Sequence, residues 1–156
     1  QNTMATYAGQ NMGARQPERV SKGLGQGVLV SLFMTAALCV CQLLGMELII
    51  RAFKLDAAAA AICRQHLFAS VLSEPIFAIY FPANGMFQGV GEGFHATFYA
   101  LMALGLRVVF AYSLYRTAFF GYTAIWWSQA MAWSLTLITC YAHFFRGKWK
   151  EKSLVS

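Results

Sequence analysis

From Gly23 onward the chain is a succession of long apolar runs divided by short polar breaks, and apolar and polar positions nowhere alternate in twos. Alternation of that kind is what a half-buried or barrel strand requires, so the pattern predicts helices. Four runs are long enough to cross about 30 Å of hydrocarbon at a rise of about 1.5 Å per residue. They are Leu24–Ile50, His66–Gln88, His95–Arg116 and Phe119–Phe145. Backbone in lipid must satisfy its own hydrogen bonds, which leaves helices once barrels are excluded. The expected fold class is all-α integral membrane, with four full transmembrane helices, the end of a preceding one and no sheet.

The breaks carry their own signals. In Ala8–Val20, AGQNMGARQPERV, a helix is expected to end near Gly13, a polar elbow over Ala14–Lys22 to turn in water, and the next span to start at about Gly23. Pro17 suits the first turn of a new helix, and Glu18 with Lys22 is spaced as an i,i+4 pair. Residues 1–14 have no basic leader region, so they read as the end of a truncated helix and not as a signal peptide. The expected organisation is therefore residues 1–14 as that helix end, 15–23 as a cytoplasmic elbow, 24–145 as a four-span bundle and 146–156 as a basic cytoplasmic tail.

The second span is expected to begin early, because Asp56 can cap a helix whose first turns are Ala57–Ala61. Continued to Gln88 it would be about 48 Å long and overshoot the bilayer. Pro75 and Pro82 lie seven residues apart, nearly on one face, and strip the partners from the Val71 and Ala78 carbonyls. A kink or local unwinding is expected between Val71 and Pro82. Gly85 with Gly89, and Gly9 with Gly13, are spaced to admit a second helix closely. The segment QGVGEG at 88–93 lacks the strand before and the Lys-Ser/Thr after that a phosphate loop needs, so it reads as a tight turn.

Composition narrows the environment. The chain is 58% hydrophobic and 12% charged, with a mean hydropathy of +0.51, too few polar side chains to coat a water-soluble globule. The lipid bilayer is the implied partner. Net charge is +6, but the basic residues cluster between apolar runs without the aromatic interleaving of a nucleic-acid groove, so no nucleic-acid partner is expected. Arg15, Arg19, Lys22, Arg146, Lys148, Lys150 and Lys152 fall on one side of the alternating topology, and Arg51, Lys54, Arg64 and Arg116 on the other. The excess of positive charge places the elbow, the QGVGEG turn and the C-terminus in the cytoplasm. Cys39, Cys41, Cys63 and Cys140 lie in or beside apolar runs and read as packed or lipid-facing thiols.

Few side chains offer chemistry. His66 is expected near the outer surface and His95 and His143 near the inner one, so the three cannot converge, and no metal or catalytic site is expected. Charges inside spans are costly and normally face a bundle interior or cavity, which singles out Glu74 and Arg107. Counted inward from the ends of antiparallel spans, each lies roughly 13 Å deep, so they are expected to form an ion pair. Asn84, Gln88, Gln42 and Gln129 are neutral candidates for a cavity lining or interhelical hydrogen bonds.

Three segments resemble one family in order and spacing. GQNMGARQPERV is similar to the GQN-L-GA-x-x-P-ER segment of multidrug and toxic compound extrusion (MATE) transporters. SEPIFAIYFPANGMFQGVGEG is similar to their Pro-Phe-rich helix and the G-x-L-R-G-x-G-D-T turn after it, and LGLRVVFAYSLY to their Arg-(Val/Ile)-Pro-Leu-Ala-Tyr segment. Here Gln88-Gly89-Val90-Gly91-Glu92-Gly93 replaces Arg-Gly-x-Gly-Asp-Thr, Val109 stands at the proline, and Phe77 stands where one branch has an ion-binding acid.

The resemblance implies the C-terminal part of a protein with two six-helix lobes, whose partner would be the missing N-terminal lobe. It implies a multi-pass protein of a plasma membrane, such as a bacterial inner membrane, and no enzyme. The implied activity is antiport of small amphipathic or cationic compounds against Na⁺ or H⁺, with no other cofactor. Apart from the resemblance, the polarity of Glu74, Arg107, Asn84 and Gln88 inside the spans makes them the expected ion or substrate pathway residues. A lipid-linked-sugar flippase or a non-transporting membrane assembly subunit of related architecture would use the same four spans.

Overall fold

The computed structural model describes residues 1–117 and 119–151. Lys152, with the rest of the expected basic tail over 152–156, lies outside the described residues. Five α-helices follow one another: α1 (Asn2–Gly13), α2 (Pro17–Ala52), α3 (Ala57–Gly89), α4 (Gly93–Tyr115) and α5 (Ala124–Arg146), with 3-10 turns at Gly121–Thr123 and Lys148–Glu151. No strand occurs among the described residues. Helices α2, α3 and α4 are long and apolar enough to cross a membrane.

Local chemistry explains the boundaries. Pro17 occupies the first turn of α2, and Arg15 takes a left-handed conformation, φ 55°, in the three-residue elbow before it. The elbow is thus tighter than the expected 15–23, because proline has its helical φ already set and propagation begins at once. The Asp56 carboxylate accepts from the Ala59 amide at 2.7 Å, capping α3. Gly91, at φ 81°, allows the three-residue reversal from α3 into α4. Helix α3 continues through Pro75 and Pro82 without a break in its helical assignment, so the local unwinding expected there is absent. The Val71 carbonyl that Pro75 frees has the Cys39 sulfur 3.9 Å away, a weak contact, since the one thiol proton has the Glu74 carboxylate nearer at 3.1 Å.

Helix α3 is the hub, packing against α1, α2, α4 and α5, while α4 makes its broadest contact with α5. Its burial is concentrated in the second half, where Tyr80 and the run Pro82–Phe87 are enclosed. Met4, Ala8 and Met12 of α1 close over that half, joined by Val20 and Leu24 of α2, Ala96 and Tyr99 of α4 and Cys140 of α5. Gly85 and Gly89 are the points of closest approach to α1. A Cβ at Gly85 would clash with the Gln1 carbonyl, and one at Gly89 with the Ala5 carbonyl and, at 2.8 Å, the Ala8 Cβ. A Cβ at Gly13 meets nothing within 4 Å. Trp149 seals this end of the bundle, fully buried, its indole N–H donating to the Phe144 carbonyl at 3.0 Å. The segment after α5 is therefore anchored as far as this turn. Lys150 pairs with Glu18 at 3.0 Å, so Glu18 is held by the chain's far end and not by Lys22.

Candidate functional site

Three polar groupings interrupt the apolar helices. The first is built on Glu74. Cys39 and Gln42 stand three residues apart on α2, on one face. The Gln42 side-chain amide donates to Glu74 Oε1 at 2.6 Å, and the Cys39 thiol donates to Glu74 Oε2 at 3.1 Å. The carboxylate is half-buried in the α2–α3 seam with two neutral donors. Two neutral donors stabilise its charge without cancelling it.

The expected Glu74–Arg107 ion pair does not form. Arg107 is exposed and lines a cavity of about 40 Å³ with Ser70, Ser73, His66 and Gln129. Matched depth set the two charges at one height, but rotation about the helix axes decided the partner: the Glu74 face meets α2, and α4 packs chiefly on α5.

The second grouping is centred on buried Asn84. Its amide donates to the Tyr80 hydroxyl and the Ala96 carbonyl, each at 2.8 Å, and its oxygen accepts from Gln1 and Gln88, each at 2.8 Å. All the capacity of the Asn84 side chain is used, tying α1, α3 and α4 together. Gln88, otherwise exposed, reaches this centre through that bond.

The third grouping was not foreseen. Glu92 lies in the α3–α4 turn at the N-cap of α4, His95 in the first turn of α4, and His143 in the last turn of α5. Glu92 Oε2 is 3.5 Å from His95 Nδ1 and 3.2 Å from His143 Nε2. The His143 ring stacks on Phe87, and its Nδ1 lies 2.7 Å from the Tyr99 hydroxyl. Two of the three histidines therefore do converge. His66 stays at the opposite end against Trp126, as its depth requires. The sequence signal was the pairing of an acid with a histidine three residues later, at the same level as the last turn of α5. The reading of QGVGEG as a mere turn passed over Glu92.

A family model described as MatE matches residues 1–113, covering α1 to α3 and nearly all of α4. No curated protein and no solved structure gives a match. The match runs through the elbow, the proline-bearing helix and the glycine turn whose geometry is set out above, and covers more than half of the chain: it belongs to the MatE family, a family of membrane transporters.

Proposed function

We propose that this chain forms the C-terminal part of a secondary antiporter that exports small amphipathic or cationic compounds in exchange for Na⁺ or H⁺, by rocking of two lobes. The observation that carries the reading is the Glu74 carboxylate, held in an apolar seam by the neutral donors Gln42 and Cys39. An ionisable group at that depth is costly unless it faces a pathway or partner. A proton or Na⁺ is the small cation that such a carboxylate takes. Arg107 and Gln88 complete the proposed pathway, with Arg107 acting on substrate or anion charge and not as the Glu74 partner, while Asn84, its bonding capacity used, holds the helices beside them.

In this reading α5 is the fourth span. Its Trp126, Trp127 and Trp133 and its hydroxyl side chains lower its hydropathy, yet it carries no Asp, Glu, Lys or Arg before Arg146. The Ser128 and Thr136 hydroxyls turn back onto the Ile125 and Ala132 carbonyls, so they are satisfied within the helix. The excess of basic residues supports taking the Glu18–Lys150 end as the cytoplasmic face of a plasma-membrane protein.

The test is Glu74→Gln in the full-length transporter, with membrane abundance measured beside substrate efflux driven by a Na⁺ or proton gradient. The expected result is normal abundance with ion-coupled efflux reduced at least about tenfold, comparable to the loss of one essential charge interaction. Unchanged efflux would reduce Glu74 to a packing residue.

A further inference from the structure

We propose that Glu92, His95 and His143 form a binding site for a divalent transition-metal ion of the Zn²⁺ class. The three can each offer one ligand atom, and these atoms all lie within 4.8 Å of one another. Ligands about 2.0–2.1 Å from a tetrahedral ion are about 3.3 Å apart. The two separations from Glu92 Oε2, 3.2 and 3.5 Å, are already at that value, so only the histidine–histidine edge has to adjust. His95 is the ligand able to move, with a side chain 46% exposed against 16% for His143 and 7% for Glu92.

Donor type sets the chemical class. Two imidazoles and one carboxylate suit zinc and its neighbours, whereas Mg²⁺ and Ca²⁺ need a shell of oxygens. Three protein ligands leave the fourth position open. It faces a cavity of about 510 Å³ lined also by Thr139, Arg146 and Lys148, which gives the ion an entry path. The two cations disfavour a bare dication and favour water or an anion as the fourth ligand.

The surroundings orient the ligands. With His143 bound through Nε2, the proton resides on Nδ1 and is donated to the Tyr99 hydroxyl, 2.7 Å away. A hydrogen bond of this kind fixes the tautomer and ring orientation of a metal-binding histidine. Stacking on Phe87, centroids 4.8 Å apart, holds the ring plane. The ion would fasten the start of α4 and the turn before it to the end of α5, in the absence of any covalent link there. This site lies apart from Glu74 and does not rest on the transport mechanism.

The test titrates Zn²⁺ alone into the full chain purified in detergent, by calorimetry and by competition with a chromophoric chelator, beside Mg²⁺. The expected result is one Zn²⁺ per chain, no Mg²⁺ at the same concentrations, and a Zn²⁺-dependent rise in thermal midpoint. His95→Ala, at the most exposed ligand, should weaken binding at least tenfold while leaving helicity unchanged. His66→Ala should bind as the parent does. Tyr99→Phe should lose about 10-fold to 100-fold through the orienting bond. If His143→Gln fails to fold, His95→Ala still decides. Absence of Zn²⁺ binding, parental affinity in His95→Ala, or binding abolished by alkylating the cysteines would overturn the proposal.

Discussion

Replacing Gly89 by alanine adds one methyl group where α1 crosses α3, and the surroundings leave it no room. The atoms it meets are the Ala5 carbonyl oxygen and the Ala8 Cβ, one backbone and the other rigidly attached to it. Neither can swing aside as the end of a long side chain would, so α1 must move bodily away. Overpacking of this kind costs about 1–3 kcal/mol, and alanine returns roughly 1 kcal/mol through its higher helix propensity. The net loss is then up to about 2 kcal/mol. It falls on the contact that buries Met4, Ala8 and Met12. For a chain of this size, each kcal/mol shifts the thermal midpoint by about 2–4 °C, so Gly89→Ala should melt up to about 8 °C lower in detergent. Gly13→Ala is the matched control, because it gains the same propensity and meets nothing within 4 Å. It should melt at or slightly above the parent. Equal midpoints for the two variants would refute the close crossing of α1 on α3.

Two further substitutions separate buried from exposed polar contacts. Asn84→Ala removes a buried group that makes four hydrogen bonds and leaves the Gln1 and Gln88 amides without their acceptor. It should cost roughly 2–4 kcal/mol by chemical denaturation, and a loss under 1 kcal/mol would contradict the network. Lys150→Ala breaks the Glu18 pair, whose side chains are 39% and 76% exposed, and should change stability by less than about 1 kcal/mol at moderate salt. A larger loss would mean that this pair, and not Trp149, anchors the end of the chain.

Signals acting along the chain were legible. Asp56 announced the start of α3, Pro17 the start of α2, and the glycines of QGVGEG a short reversal, because each acts on backbone within a few residues. Rise per residue converts sequence number to position along a helix axis. Rotation about that axis was not legible. Glu74 and Arg107 were matched in height, yet Glu74 faces Gln42 and Cys39 and Arg107 faces Ser73 and Gln129. Which face a helix shows to which neighbour depends on packing all the helices together, and α3 has four of them. Trp149 escaped for a related reason. Its neighbours Lys148 and Lys150 read as a solvated basic tail, while the indole supplies the area that closes the core. Glu92 and His143 are far apart in sequence, and only the meeting of the α4 start with the α5 end joins them.

The distribution of burial bears on how a charge at Glu74 can act. Helix α2 buries Val20 and Leu24 near its start and Ile50 near its end, while Leu29, Phe33, Leu38, Leu44 and Leu48 between them are exposed. Lipid or other apolar surface must cover those residues in a membrane, so removing them from water does little to press α2 onto α3. Along this middle stretch the α2–α3 seam is tied by polar contacts: Cys39 and Gln42 to Glu74, and Arg64 to Glu47 through bonds of 2.8 and 3.1 Å. Protonating Glu74 converts an acceptor of two charge-assisted bonds into a neutral group with a donor of its own, which weakens one of the few ties present. The seam should therefore respond more to the state of Glu74 than the glycine-packed α1–α3 crossing does. Spin labels on α2 and α3 flanking residue 74 would read this directly. Glu74→Gln should widen or broaden that distance while a pair across α1 and α3 stays fixed; equal movement of both would mean that the charge acts on global stability and not on the seam.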